Sequence, residues 1–129
     1  MARTPVEEFL RYVWEFSRKY GALIEKAPIK LSRFATGRRT RLLARCLRAA
    51  GFRIIEGEIS DGEWRLGNGY IYAVVPASLI ARFSNFREFR DYVLEALRSN
   101  GDLCPGKVRE KLGIEAVGEA GQPGEAGGD

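Results

Sequence analysis

Residues 38–52 read RRTRLLARCLRAAGF, and this stretch decides the fold. On a helical wheel Arg38, Arg41, Arg45 and Arg48 fall within about 80° of one another. Leu42, Leu43, Cys46, Leu47 and Ala50 lie on the other side. The spacing predicts a helix over Arg38–Ala50 with one face in a core and a ladder of guanidinium groups on the opposite face. Gly51 supplies the stop. Beyond it the apolar period changes from 3.6 to two, the change expected where a helix gives way to a strand.

The same stretch lies inside a longer block of one sign. Residues 26–55 carry nine basic side chains and no acidic one: Lys26, Lys30, Arg33, Arg38, Arg39, Arg41, Arg45, Arg48 and Arg53. The remainder has twelve basic and seventeen acidic groups, so a net charge of +4 resolves into a block of +9 and a remainder of −5. A segregated cationic surface attracts polyanions and steers them over distances set by ionic strength. No acid stands at i±3 or i±4 to neutralise the ladder, so its members repel one another. Arg38 and Arg39 also sit at the predicted helix N-terminus, where the backbone dipole disfavours a cation by roughly 0.3–1 kcal/mol and favours an anion. Stability alone would place Asp or Glu there. Two arginines beside free backbone N–H groups suit a phosphate. The competing account of such a run is a solvated face paired with Glu7, Glu8 or Glu15.

Working outward, Thr4-Pro5-Val6-Glu7 is a capping box with proline at the first helical position. Val6, Phe9, Leu10, Val13, Phe16 and Tyr20 follow at helical spacing up to Gly21, giving a helix over 5–20. Residues 21–30 read as a connection broken by Pro28, and Leu31–Ala35 as a short helical piece. Thr36-Gly37 reads as a turn or cap. Downstream, strands are expected over Phe52–Ser60, Glu63–Leu66 and Tyr70–Val75. Turns at Asp61-Gly62 and Gly67-Asn68-Gly69 join them into a small antiparallel meander that Pro76 ends. A short helix over Ala77–Arg82 follows. Asn85 then caps a longer helix whose stripe is Phe86, Phe89, Val93, Ala96 and Leu97, and Lys107–Leu112 adds one more helical turn. Five of the last twelve residues are glycine, so 114–129 is expected to be a disordered, acidic tail. The class is α+β: helices plus a small antiparallel meander or hairpin, in one domain over 1–113.

Composition removes much chemistry. The chain has no histidine, which excludes Ser-His-Asp and Cys-His nucleophiles, HExxH metal sites and imidazole acid–base work. Cys46 and Cys104 stand alone with no CxxC, and suggest neither a disulfide framework nor a zinc ribbon. No cofactor or metal is expected, and no apolar run approaches the ~18 residues that span a bilayer. No signal-peptide core follows Met1–Arg3, so the default expectation is an intracellular, cytoplasmic protein. Sixteen arginines against five lysines are in keeping with a GC-rich or thermophilic source. Gly101–Lys107 fits the first part of a phosphate-loop pattern, but Val108 stands where Ser or Thr is required, and the segment follows a helix where a strand is needed.

The order helix, short helix, turn, basic helix, β-hairpin over about residues 5–75 resembles a winged helix-turn-helix domain. That resemblance implies a recognition helix at Arg38–Ala50 entering a major groove, with a hairpin tip as the wing. Thr40 and Ala44 depart from it, occupying positions that are usually apolar in the family. The resemblance makes Arg38, Arg39, Thr40 and Arg41 candidates for base or phosphate contact, with Arg45, Arg48, Arg33 and Lys30 positioning the backbone; Arg53 extends the same basic block. Trp64, Tyr70 and Tyr72 are candidates for base stacking, against the ordinary alternative that strand aromatics are core.

The rhythm helix, three strands, helix also resembles restriction-endonuclease-like nucleases. Those enzymes need an acid-x-lysine on the third strand, and Tyr70–Pro76 has neither residue type. Glu56, Glu58, Asp61 and Glu63 gather about a turn with no lysine partner. The expectation is therefore a non-enzymatic nucleic-acid-binding protein, DNA ahead of RNA, acting as a transcriptional regulator or chromatin-associated factor. The helix over 86–99 is the candidate homodimerisation element. The rivals are an RNA- or ribosome-associated protein, an interaction module of a replication or transcription assembly, and a degenerate nuclease-like fold.

Overall fold

A computed structural model describes residues 4–57 and 69–114. The first helix, α1 (Pro5–Tyr20), is capped as its sequence requires: the Glu7 backbone N–H donates to Thr4 Oγ1 at 3.1 Å. Its stripe of Val6, Phe9, Leu10 and Val13 is fully buried. The segment 21–30, expected to be a plain connection, holds a 3-10 turn (Gly21–Lys26) and a two-residue strand, β1 (Ile29–Lys30). Two residues carry no period, which is why this strand left no trace in the pattern. A second 3-10 turn (Leu31–Arg33) takes the place of the expected short helix and leads into α2 (Arg38–Ala49).

Two glycines bracket α2. Gly37 at its N-cap has φ 59° and Gly51 beyond its last turn has φ 99°, values that side-chain-bearing residues rarely adopt. Between them Leu43, Ala44, Cys46 and Leu47 are buried, as the wheel requires. Strands β2 (Arg53–Glu56) and β3 (Ile71–Val74) form an antiparallel pair, with Ile54 opposite Ala73 and Glu56 opposite Ile71. β3 is the central strand: β1 lies on its other side, antiparallel, with Lys30 opposite Tyr72. β3 is shorter than the expected Tyr70–Val75, and β2 begins one residue after the start of the expected Phe52–Ser60, of which residues 58–60 lie outside the described residues. The expected strand 63–66, the turn at Asp61-Gly62 and Trp64 lie outside the described residues, as does the tail from 115 onward; of the turn at Gly67-Asn68-Gly69 only Gly69 is described, with φ 85°.

After Pro76 come α3 (Ala77–Ile80), α4 (Phe86–Ser99) and α5 (Gly106–Lys111). The Asn85 cap is formed: Glu88 N–H donates to Asn85 Oδ1 at 2.9 Å, and the Glu88 carboxylate reaches back to accept from Ser84 N–H at 3.0 Å. On α4, Phe89, Val93 and Leu97 are fully buried. The core is an aromatic chain, in which Phe9 meets Phe34 and Phe52 edge-on at 5.5 and 5.3 Å and Trp14 stacks on Phe89 at 5.7 Å. The architecture is α+β, with a small antiparallel sheet held among helices.

One expectation is overturned. Cys46 and Cys104 are joined by a disulfide, with Cα atoms 4.6 Å apart, and both residues are fully buried. Fifty-eight positions separate them in sequence, too far for any local spacing to reveal the pairing. The bond fastens the loop between α4 and α5 to the middle of α2. Ile114, assigned from sequence to the tail, is also buried.

Candidate nucleic-acid interface

α2 sets its arginines by simple geometry. Its apolar side is spent on the core, so residues three and four apart on the other side must face outward. Arg38, Arg39, Arg41, Arg45 and Arg48 are all exposed, as are Arg33 before the helix and Arg53 after it. Arg39, placed by the wheel near the apolar side, is nonetheless exposed.

Among the described residues one carboxylate meets this group. Glu56 on β2 lies 3.4 Å from Arg41, with the two side chains 62% and 69% exposed. None of the α1 acids Glu7, Glu8 or Glu15 forms a salt bridge to the ladder. The pairing with α1 that would make this an ordinary solvated face is therefore not made. Arg45 donates through Nη2 to the backbone carbonyl of Asp102 at 2.9 Å, a neutral acceptor, and pairs with no carboxylate among the described residues.

The start of α2 differs from the starts of the other two long helices. α1 and α4 each have a capping side chain and acid in the first turn, whereas α2 has Gly37, no side-chain cap and no acid. Thr40, a candidate for base contact, has its hydroxyl occupied: Oγ1 donates to the Ala35 carbonyl at 3.0 Å and closes the turn before the helix.

Arg41, Arg45 and Arg48 line a depression of about 200 Å³ between α2 and β2, with Glu56 on the far wall. Its floor is Ala44, Ile54 and Ile71. Arg33 and Lys30 stand apart from this ladder and are engaged with aromatics. Arg33 lies 4.7 Å from the Tyr12 ring centre and donates to the Tyr12 hydroxyl at 3.2 Å. Lys30 Nζ sits 3.8 Å above Tyr70. That pair on the sheet, with Tyr70 46% exposed, presents an aromatic and a cation together. Tyr72 is buried, so the ordinary reading of strand aromatics holds there.

The C-terminal helices complete the picture. Arg109 turns inward, donating to the Cys104 carbonyl at 2.9 Å, while Lys107 and Lys111 are exposed. The apolar stripe of α4 is buried within the chain, so a homodimer formed through 86–99 would have only the outer face of that helix, around Tyr92, to use. Among the described residues no helix is long and apolar enough to cross a membrane, and no three His, Cys, Asp or Glu side chains gather as metal ligands.

No family model matches the chain, and neither the curated proteins nor the solved structures contain a match to it.

Proposed function

We propose that this chain is a non-catalytic nucleic-acid-binding protein that presents α2 to duplex DNA as the recognition element of a winged-helix-like domain. The observation that carries the reading is the exposed arginine face of α2, which the protein's own described carboxylates neutralise at Arg41 alone. Counterion release from a duplex rewards such a face in proportion to the phosphates it covers. The element order supports the winged-helix comparison: a helix, two short 3-10 turns with a two-residue strand between them, the basic helix, then an antiparallel strand pair. Lys30 with Tyr70, and Arg53 on β2, would extend contact beyond α2. A regulatory or chromatin-associated role in the cytoplasm belongs to the same reading. A disulfide that persists in that compartment fits a thermophilic source, where intracellular disulfides are common.

The test is binding to duplex DNA, structured RNA and heparin across a salt series. Duplex DNA is expected to bind with an affinity that falls steeply between 50 and 200 mM salt, by about 10³ or more if six phosphates are covered. Equal affinity for heparin and DNA at every salt would reduce the reading to a non-specific cation. A flat salt response would refute it.

A further inference from the structure

We propose that the depression between α2 and β2 is a pocket for one backbone phosphate, with Glu56 as its resident counter-ion. The proposal rests on the nucleic-acid reading and adds to it a defined subsite and a residue that restrains binding.

The pocket has the chemistry of an anion site on one wall only. Arg41, Arg45 and Arg48 follow one another at i, i+4 and i+7, so three guanidinium groups border one opening. Its floor is apolar, with Ala44 and Ile71 buried. Charge-assisted hydrogen bonds gain strength where water is thinned by such a surface. A guanidinium fork matches a phosphate in two parallel bonds, and three neighbouring cations favour a phosphate over a single carboxylate.

Glu56 occupies this site from the opposite wall. It stands on β2 directly across from Ile71 of the floor, and its Oε2 reaches Arg41 at 3.4 Å. At that length, with both partners mostly exposed, the contact is an ordinary surface ion pair of small worth. A phosphate can therefore displace it from Arg41 at little cost. After displacement the carboxylate still faces the incoming anion, and that repulsion opposes binding. Glu56 thus holds Arg41 in place in the free protein and lowers affinity for every polyanion.

The experiment compares the wild-type chain with Glu56→Gln and with Glu8→Gln, the latter removing an exposed carboxylate beside a different depression, on α1. The probe is a fluorescent 20-base-pair DNA duplex, titrated from 50 to 200 mM salt. Removing one like charge at about 4 Å in a water-like medium is expected to tighten binding about fivefold for Glu56→Gln. Arg41→Gln made on top of Glu56→Gln should remove that gain, and Glu8→Gln should change affinity by less than about twofold. Equal gains from Glu56→Gln and Glu8→Gln would overturn the pocket and leave the nucleic-acid reading standing. Failure of the wild-type protein to bind the duplex at 50 mM salt would overturn both. Inorganic phosphate, added at constant ionic strength, should compete with the duplex for wild-type protein and less well for Arg41→Gln; equal competition against both proteins would overturn the pocket.

Discussion

Arg45 donates through Nη2 to the carbonyl of Asp102 at 2.9 Å, and so ties the arginine face of α2 to the loop that follows α4. The neighbouring Cys46–Cys104 bond repeats the link inside the core. The helix proposed to meet nucleic acid is therefore held from behind by covalent attachment to the C-terminal part of the domain.

That attachment has a measurable weight. Closing a loop across the 58 positions between Cys46 and Cys104 restricts the unfolded chain by about 4 kcal/mol in the chain-entropy account. Denaturant unfolding of a Cys46→Ala, Cys104→Ala double variant should show a loss of roughly 2–4 kcal/mol. Alkylation of native wild-type protein should label neither thiol until it is reduced. A variant as stable as the wild type would show that the staple does not hold the fold.

Gly37 tests the entry to α2. A Cβ there would meet no atom within 4 Å, so any cost of Gly37→Ala comes from its φ of 59° alone. The expected loss is about 1–2 kcal/mol. Binding should also weaken, because Arg38 and Arg39 take their positions from that turn. Urea unfolding and duplex binding of the same variant measure the two effects.

Phe89 joins α4 to α1 through Trp14 and to the α2–β2 junction through Phe52, and it is fully buried. Phe89→Ala should cost about 3–5 kcal/mol. Because α4 spends its stripe in this way, sedimentation at micromolar concentration is expected to give a monomer. A concentration-dependent dimer lost on substitution of Tyr92 would place the outer face of α4 in an interface.

Much of the fold was legible in the sequence, for identifiable physical reasons. α1 and α4 announced themselves through Thr4 and Asn85, whose side chains satisfy the first free N–H groups, and through apolar stripes long enough to show their period. α2 was legible because its two faces differ so sharply in charge. β1 was not legible, since Ile29–Lys30 is stabilised by pairing with β3 and carries no local pattern. Nor was the disulfide, because Cys46 and Cys104 meet only once α4 has packed beside α2. At the candidate site the arginines were readable from their spacing. The role of Glu56 was not, because its approach to Arg41 depends on how β2 lies against the helix. By sequence alone Glu56 is one more of the acids about the turn. Thr40 looked available for a base and proved to be closing its own turn.

Each arginine of the ladder should carry a separable share of the electrostatic term. Arg48→Gln, which removes a cation with no described acidic partner, is expected to reduce the magnitude of the log–log salt slope by about 0.9. Circular dichroism should show no loss of helix, since Arg48 is exposed. An unchanged slope would take Arg48 out of the contact surface.

The most direct measurement sets the α2 face against an equal charge placed elsewhere. One variant replaces Arg38, Arg41, Arg45 and Arg48 with glutamine, and the other replaces Arg18, Arg87, Lys107 and Lys111, all exposed on other elements. Both lower the net charge by the same amount. Duplex binding across a salt series should collapse for the first, with the slope reduced by about 3–4, and stay near wild type for the second. Equal losses from the two variants would mean that net charge, and not the outward face of α2, draws the polyanion.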